Sequence, residues 1–248
     1  MLIFGVQTSS AQIEAWSSHH FKGTTGDVIG FRKMSPADTS NSAPLTIFLH
    51  GAGERGRDNI KQLAHGKDVL AKAATQHGAI VIAPQCPWTS YWANVDRATE
   101  PVTGRVSLRY PFRASPTPAL QQVIYLLDSL VATRGVDTNS IHLVGISMGG
   151  MGVLELAARF PGRFASVTSM AGTYGPQIAP ILALTPKLRF FHGDKDFLVH
   201  VDITRALVKR AKAFGANVDY IEFAGANHNS WDPAFARENY WDWVFGKE

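Results

Sequence analysis

The sequence predicts an α/β fold: a mostly parallel central sheet with helices on both faces. Two observations carry this. The strand-like runs are apolar throughout and do not alternate with polar residues, as expected of strands covered on both sides. From Leu45 onward these runs alternate with segments of helical periodicity. A third observation sets a functional point on that frame: Ser147 lies between glycines, with an apolar run before it and a helix-like stretch after it. A chain of 248 residues with 45% hydrophobic content can build one sizeable core. We therefore expect a single domain over residues 1–248, without a large helical cap.

The elements follow in order. Met1 to Gln7 is predicted as a first strand, and Asp27 to Lys33 as a possible hairpin partner for it. Ser35 to Pro44, rich in Ser, Pro, Asn and Asp, is a loop. Leu45–Leu49 is a buried-type strand; a helical pattern around Val69 to Gln76 leads to the next, Ala79–Ala83. Pro118 to Thr133 is an amphipathic helix with Leu120, Val123, Ile124, Leu127, Leu130 and Val131 on one side. Then come strand 141–145, helix 148–160, strand Phe164–Met170, strand Lys187–Phe191, helix Val201–Phe214 and strand Val218–Phe223. Aromatic-rich Trp231 to Phe245 is predicted to close the domain as one last helix. Two irregular stretches, 84–118 and 171–186, interrupt the alternation. Long loops in a compact domain are more often functional than accidental, so 88–115 and 171–186 are expected beside the substrate.

Composition narrows the function classes. A net charge of +4 without any dense Lys/Arg block gives no nucleic-acid signature. No apolar run reaches the eighteen or so residues of a membrane span, and the opening residues lack the basic region of a signal peptide, so a cytoplasmic chain is expected ahead of a secreted one. The single cysteine, Cys86, has no glycine frame and is expected to pack as a small hydrophobe. His19, His20, His65, His77 and His142 have no partners at metal-ligand spacing, so no metal or other cofactor is expected.

The chemistry is concentrated at four places. Gly145-Ile146-Ser147-Met148-Gly149 matches the G-x-S-x-G elbow, in which a tight strand-to-helix turn holds the serine hydroxyl out over the first turn of a helix. A serine hydroxyl needs a base to take its proton as it attacks, and that base is usually a histidine oriented by a carboxylate. His228, in a loop after the last strand, is the candidate base. Two acids follow the strand ending Phe190-Phe191-His192-Gly193; Asp196 is taken as the orienting acid, and Asp194 as a turn former after glycine. His50-Gly51-Ala52-Gly53, at the end of an early strand, is placed to supply oxyanion amides: Ala52 and Met148, with Gly53 next in line. His50 itself is expected to brace that loop. Glu54, Arg55, Arg57 and Asp58 are expected to form an exposed, internally paired loop. Trp88, Tyr91, Trp92 and Trp231 offer an aromatic wall over the serine, with Tyr91, Trp92 and Trp231 as substrate-binding candidates.

Together these residues resemble the α/β-hydrolase superfamily over almost the whole chain, and within it the phospholipase/carboxylesterase and feruloyl-esterase-like branch, which includes proteins described as peptidases. The resemblance rests on His50-Gly51-Ala52-Gly53-Glu54-Arg55-Gly56, on Ala83-Pro84-Gln85-Cys86-Pro87 with Trp92, on the elbow, on Ala158–Ala165, and on Asp196 with His228. It implies a cofactor-independent serine hydrolase acting on a small-molecule carboxylic ester, with short acyl or aryl and phenolic esters as the substrate class. Ser147 would be the nucleophile, His228 the base, Asp196 the acid, and Ala52 and Met148 the oxyanion donors. Two other expectations stand beside it: a peptidase or amidase on the same three residues, and a non-catalytic binding protein of this fold.

Overall fold

In the computed structural model, described for residues 16–247 apart from 25, 39, 100–105 and 134, an eight-stranded sheet forms the centre of the molecule. Its strands are β1 (Ser17–Lys22), β2 (Val28–Met34), β3 (Ala43–Leu49), β4 (Ile80–Pro84), β7 (Val136–Ile146), β8 (Ser166–Met170), β9 (Leu188–Gly193) and β10 (Val218–Phe223). A separate hairpin of β5 (Asp96–Thr99) and β6 (Val106–Arg109) projects from the 84–118 stretch. Helices α1 (Lys67–His77), α2 (Pro118–Val131), α3 (Met148–Arg159), α4 (Ala179–Leu182), α5 (Val201–Ala213), α6 (Trp231–Phe235) and α7 (Tyr240–Phe245) complete the elements.

The strand order is β1-β2-β4-β3-β7-β8-β9-β10. β1 and β2 run antiparallel at one edge; from β4 to β10 every neighbouring pair is parallel. The inner parallel strands β3, β4, β8 and β9 and the second half of β7 are buried almost throughout, as their largely apolar runs require, whereas the edge strand β10 is half-exposed and carries Asp219 and Glu222. In β3, Leu45, Ile47 and Leu49 pack with α2 and α3, whereas Phe48 packs with α1 and the C-terminal helices. The chain leaves β3 towards β4 on one side and returns to β7 on the other, with Leu49 paired to Gly145. Carboxyl ends of parallel strands that part in opposite directions leave a crevice suited to a ligand. The His50–Gly53 loop and Ser147 sit at that point.

Three differences from the expected elements have physical reasons. The partner of β2 is β1, a strand of polar, half-exposed residues at the sheet edge; the predicted strand Met1–Gln7 lies outside the described residues. Edge strands with one solvated face carry little apolar signal. The 84–118 stretch holds a β-hairpin, and the predicted final helix is two: the chain breaks at 236–239 so that Phe235 and Tyr240 meet edge to face at 5.2 Å and Trp241 and Trp243 enter the core. α2 starts as its sequence suggests, with Thr117 Oγ1 accepting from the Leu120 N–H at 3.1 Å and Pro118 in the first turn.

Candidate active site

Ser147 follows β7 and caps α3 with φ 51° and ψ −117°, a positive-φ conformation that a non-glycine residue adopts only under close constraint. The constraint is visible on both sides. A Cβ on Gly145 would lie 2.2 Å from the Gly149 carbonyl oxygen, and one on Gly149 only 1.8 Å from that of Leu49. Side chains at either position would push α3 off the ends of β7 and β3, so glycine is required there. The Ser147 N–H donates to the Met170 carbonyl at 2.7 Å, tying the turn to β8.

The elbow directs Ser147 Oγ to His228 Nε2, 2.8 Å away. His228 Nδ1 stands 2.8 Å from Asp196 Oδ2. A carboxylate can only accept, so Nδ1 carries the proton and Nε2 is left to accept from the serine hydroxyl. Asp196 is itself fixed: Oδ1 accepts from the backbone N–H groups of Leu198 and Val199, both at 2.9 Å. Burial pushes the Asp196 carboxyl up, but hydrogen bonds from His192, His228 and the Val199 amide outweigh it and hold the group well below the usual carboxylate range. Asp194 instead accepts from the Gly225 N–H at 2.7 Å and braces the turn.

The third component packs directly on the serine: a Cβ on Gly51 would meet Ser147 Cβ at 3.7 Å. Ala52 opens a single 3-10 turn, Ala52–Glu54, and Met148 opens α3. First residues of helical turns have N–H groups without a partner inside the turn, so both amides are available to a developing negative oxygen. His50 braces this loop from beneath. The Cys86 N–H donates to its Nε2 at 2.9 Å, so its Nδ1–H donates to the Gly51 carbonyl at 2.6 Å. Burial lowers the His50 imidazole to about 4, keeping it neutral. Burial pushes the Cys86 thiol up to about 12, the property of a packing residue and not of a nucleophile.

A cavity of about 420 Å³ opens beside Ser147 and His228, walled by Tyr91, Val95, Leu108, Ile146, Met151 and Trp231, with Ala52 and Gly53 also in its lining. Trp231 stands edge-on to His228 at 5.5 Å. Trp92, expected in this wall, is not there. It is fully buried, its indole N–H donating to the His50 carbonyl at 3.0 Å and its Cβ lying where a side chain on Gly152 would be. Next to a glycine in α3, the large ring fits inward and ties the His50–Gly53 loop to α3. The paired loop expected of residues 54–58 also takes a different form. Glu54 faces His65 at 3.4 Å, and the Arg55 guanidinium donates to the carbonyls of Ala52, Trp88 and Ser90.

Two residues at the site escaped the sequence reading. His192, at the end of β9, lies with Nε2 3.1 Å from Asp196 Oδ2. Glu155, fully buried in α3, receives the Asn94 N–H at 2.7 Å, the Tyr174 hydroxyl at 3.1 Å and the Arg159 guanidinium at 2.6 and 2.8 Å. A charged residue in an otherwise apolar helix run was the available signal for Glu155. For His192 it was the four-residue spacing from Asp196.

The family described as "Putative esterase" matches residues 25–239. The chain belongs to this esterase family. It is 27% identical over 154 residues to "Putative esterase NocK" of Nocardia uniformis subsp. tsuyamanensis, a match covering 62% of the chain and 40% of that protein. A solved thermostable esterase superposes with a TM-score of 0.78 at 29% identity, covering 94% of the chain and 63% of the other. A ferulic acid esterase superposes at 0.67 and 14% identity, covering 94% and 98%, a likeness of fold. The chain thus spans 40% of the length of the curated relative and 63% of the thermostable esterase. The architecture is that of the α/β-hydrolase esterases, as the resemblance implied.

Proposed function

We propose that this chain is a serine carboxylesterase, with Ser147 as nucleophile, His228 as general base and acid, and Asp196 as the orienting carboxylate. The observation that carries the reading is the continuous path Ser147 Oγ–His228 Nε2 and His228 Nδ1–Asp196 Oδ2, both 2.8 Å, beside a cavity that Ser147 and His228 line.

Ser147 Oγ attacks the ester carbonyl carbon while its proton passes to His228 Nε2. The carbonyl oxygen becomes an oxyanion held by the Ala52 and Met148 N–H groups. Collapse breaks the bond to the alkoxy oxygen, which takes the proton from His228 and leaves as the alcohol. Water then attacks the acyl-serine, giving a proton to His228, and the second collapse returns that proton to Ser147 and frees the acid. Asp196 holds the imidazole in the tautomer that both halves need. The cavity's aliphatic wall and the Tyr91 and Trp231 rings suit short acyl or aryl esters.

Ser147→Ala should reduce hydrolysis of p-nitrophenyl acetate or butyrate to background while circular dichroism and thermal midpoint stay as in the wild type. Substantial turnover in that variant refutes the assignment. Cleavage of aminoacyl anilides with no ester turnover would assign the site to amide bonds.

A further inference from the structure

Asp196 Oδ2 is approached by two imidazoles. One is His228 Nδ1 at 2.8 Å; the other is His192 Nε2 at 3.1 Å. His192 is fully buried, on β9, four residues before the acid it faces. The neighbours of its Nε2 are the Asp196 carboxylate and the Val199 carbonyl, 2.8 Å away, and both only accept. The Nε2 proton is therefore shared between them. On the opposite ring nitrogen, Nδ1 meets Thr204 Oγ1 of α5 at 3.1 Å, a hydroxyl that can donate to it. The ring is thus held from α5, and its proton points at the strand-end acid.

Resting on the catalytic reading above, we propose that His192 is a positioning residue: it fixes Asp196 and withdraws part of the carboxylate's charge from His228. A carboxylate oxygen that accepts two imidazole N–H groups stabilises an imidazolium on either one less than if it accepted one. His192 thereby limits how firmly His228 holds a proton between turnovers and keeps Nε2 free as a base at lower pH. Charged and titratable groups of the adjoining elements face this pair. Glu222 of β10 is level with His192 but is engaged by Arg205 of α5 and by the Tyr220 hydroxyl. Asp194 binds the Gly225 amide. Around His228 the cavity presents Trp231, His65 with Glu54, and the guanidinium groups of Arg55 and Arg97.

The test is the pH profile of kcat/KM for p-nitrophenyl butyrate. His192→Phe keeps ring volume and removes the donor. Its acid limb should move up by about half to one pH unit, lowering kcat/KM on that limb about three- to tenfold, with KM little changed. His192→Gln can place its amide N–H where Nε2 stands and should return the limb towards the wild-type position. Should the Phe variant fail to fold, His192→Asn replaces it: its amide is one methylene too short to reach Asp196, so its limb should move as predicted for Phe. An unmoved limb in the Phe or Asn variant, or an equal shift in the Gln variant, overturns the proposal and leaves a structural role only. That failure is separate from failure of the catalytic reading, which would appear as ester turnover surviving in Ser147→Ala.

Discussion

At the scale of single residues, the site depends on atoms that cannot be moved or added. Gly149 shows this without reference to chemistry: the space a methyl would need is 1.8 Å from the Leu49 carbonyl oxygen. Gly149→Ala should therefore abolish folded, active protein or cost several-fold in activity with a marked loss of stability, measured by urea unfolding; near wild-type behaviour would show that α3 can shift freely. Asp196→Asn makes a different prediction. It leaves the space filled but lets the amide donate towards His228, disfavouring the tautomer that the serine needs. kcat should fall by about a thousandfold or more, the scale seen when an orienting acid is replaced, with the thermal midpoint altered far less than activity. These residues were readable in the sequence because their chemistry is local: glycine where no side chain fits, and acid and histidine at strand ends in the required order. Trp92 was not readable. The same indole suits a substrate wall or a core, and the choice was made by Gly152, sixty residues later, whose missing side chain gives the ring its place.

At the scale of elements, the question is what holds the 88–115 stretch against α3. Glu155 of α3 binds both the backbone and the amide of Asn94, and Arg159, held by Glu155, donates to the Ala114 carbonyl at 2.7 Å. Tyr174 of the second loop donates to the same carboxylate, and Gln177 reaches the Tyr110 carbonyl at 2.9 Å. One buried carboxylate therefore joins α3 to the 88–115 stretch, which supplies Tyr91, Val95, Arg97 and Leu108 to the cavity, and to the 171–186 stretch, which was expected beside the substrate but supplies none of the lining residues. Removing one partner of a buried ion pair costs about 3–5 kcal/mol. Glu155→Gln keeps the shape and some bonds, so about 3 kcal/mol of lost stability is expected by denaturant titration, with KM for aryl esters raised more than kcat is lowered. A variant as stable as the wild type would show that the network does not hold the wall. The sequence displays the cause of this fastening only as an acid in an apolar helix; its partners lie 61 and 19 positions away in segments without periodicity, where sequence patterns carry no register. The missed strand β1 and the broken C-terminal helix have the same origin, since an edge strand and a helix break are decided by neighbours and not by local pattern.

At the scale of the whole molecule, the parallel sheet places four separate sequence positions at the carboxyl ends of β3, β7, β9 and β10, beside the point where the strand order reverses. This arrangement follows from strands that are apolar on both faces, and it was the most legible part of the chain. The same burial makes stability depend on pH. His50 and His142 are both lowered to about 4, chiefly by burial, so below the ordinary histidine value the unfolded chain binds protons that the folded one refuses. Stability is then complete above about 6.5 and falls as the pH drops towards 4, by an amount on the order of 3 kcal/mol for each histidine. Asp196, held below its ordinary range, adds a loss in the same direction at still lower pH. The thermal midpoint should therefore decline from pH 7 to pH 4.5, and the decline should be shallower in His142→Gln; a flat profile would contradict this account.

Fluorophosphonate labelling of the folded protein, followed by peptide mapping, tests whether the elbow serine is the reacting group. We predict one adduct per chain, on Ser147, and no labelling of Ser147→Ala. An adduct on any other residue, or labelling unchanged by that substitution, would contradict it.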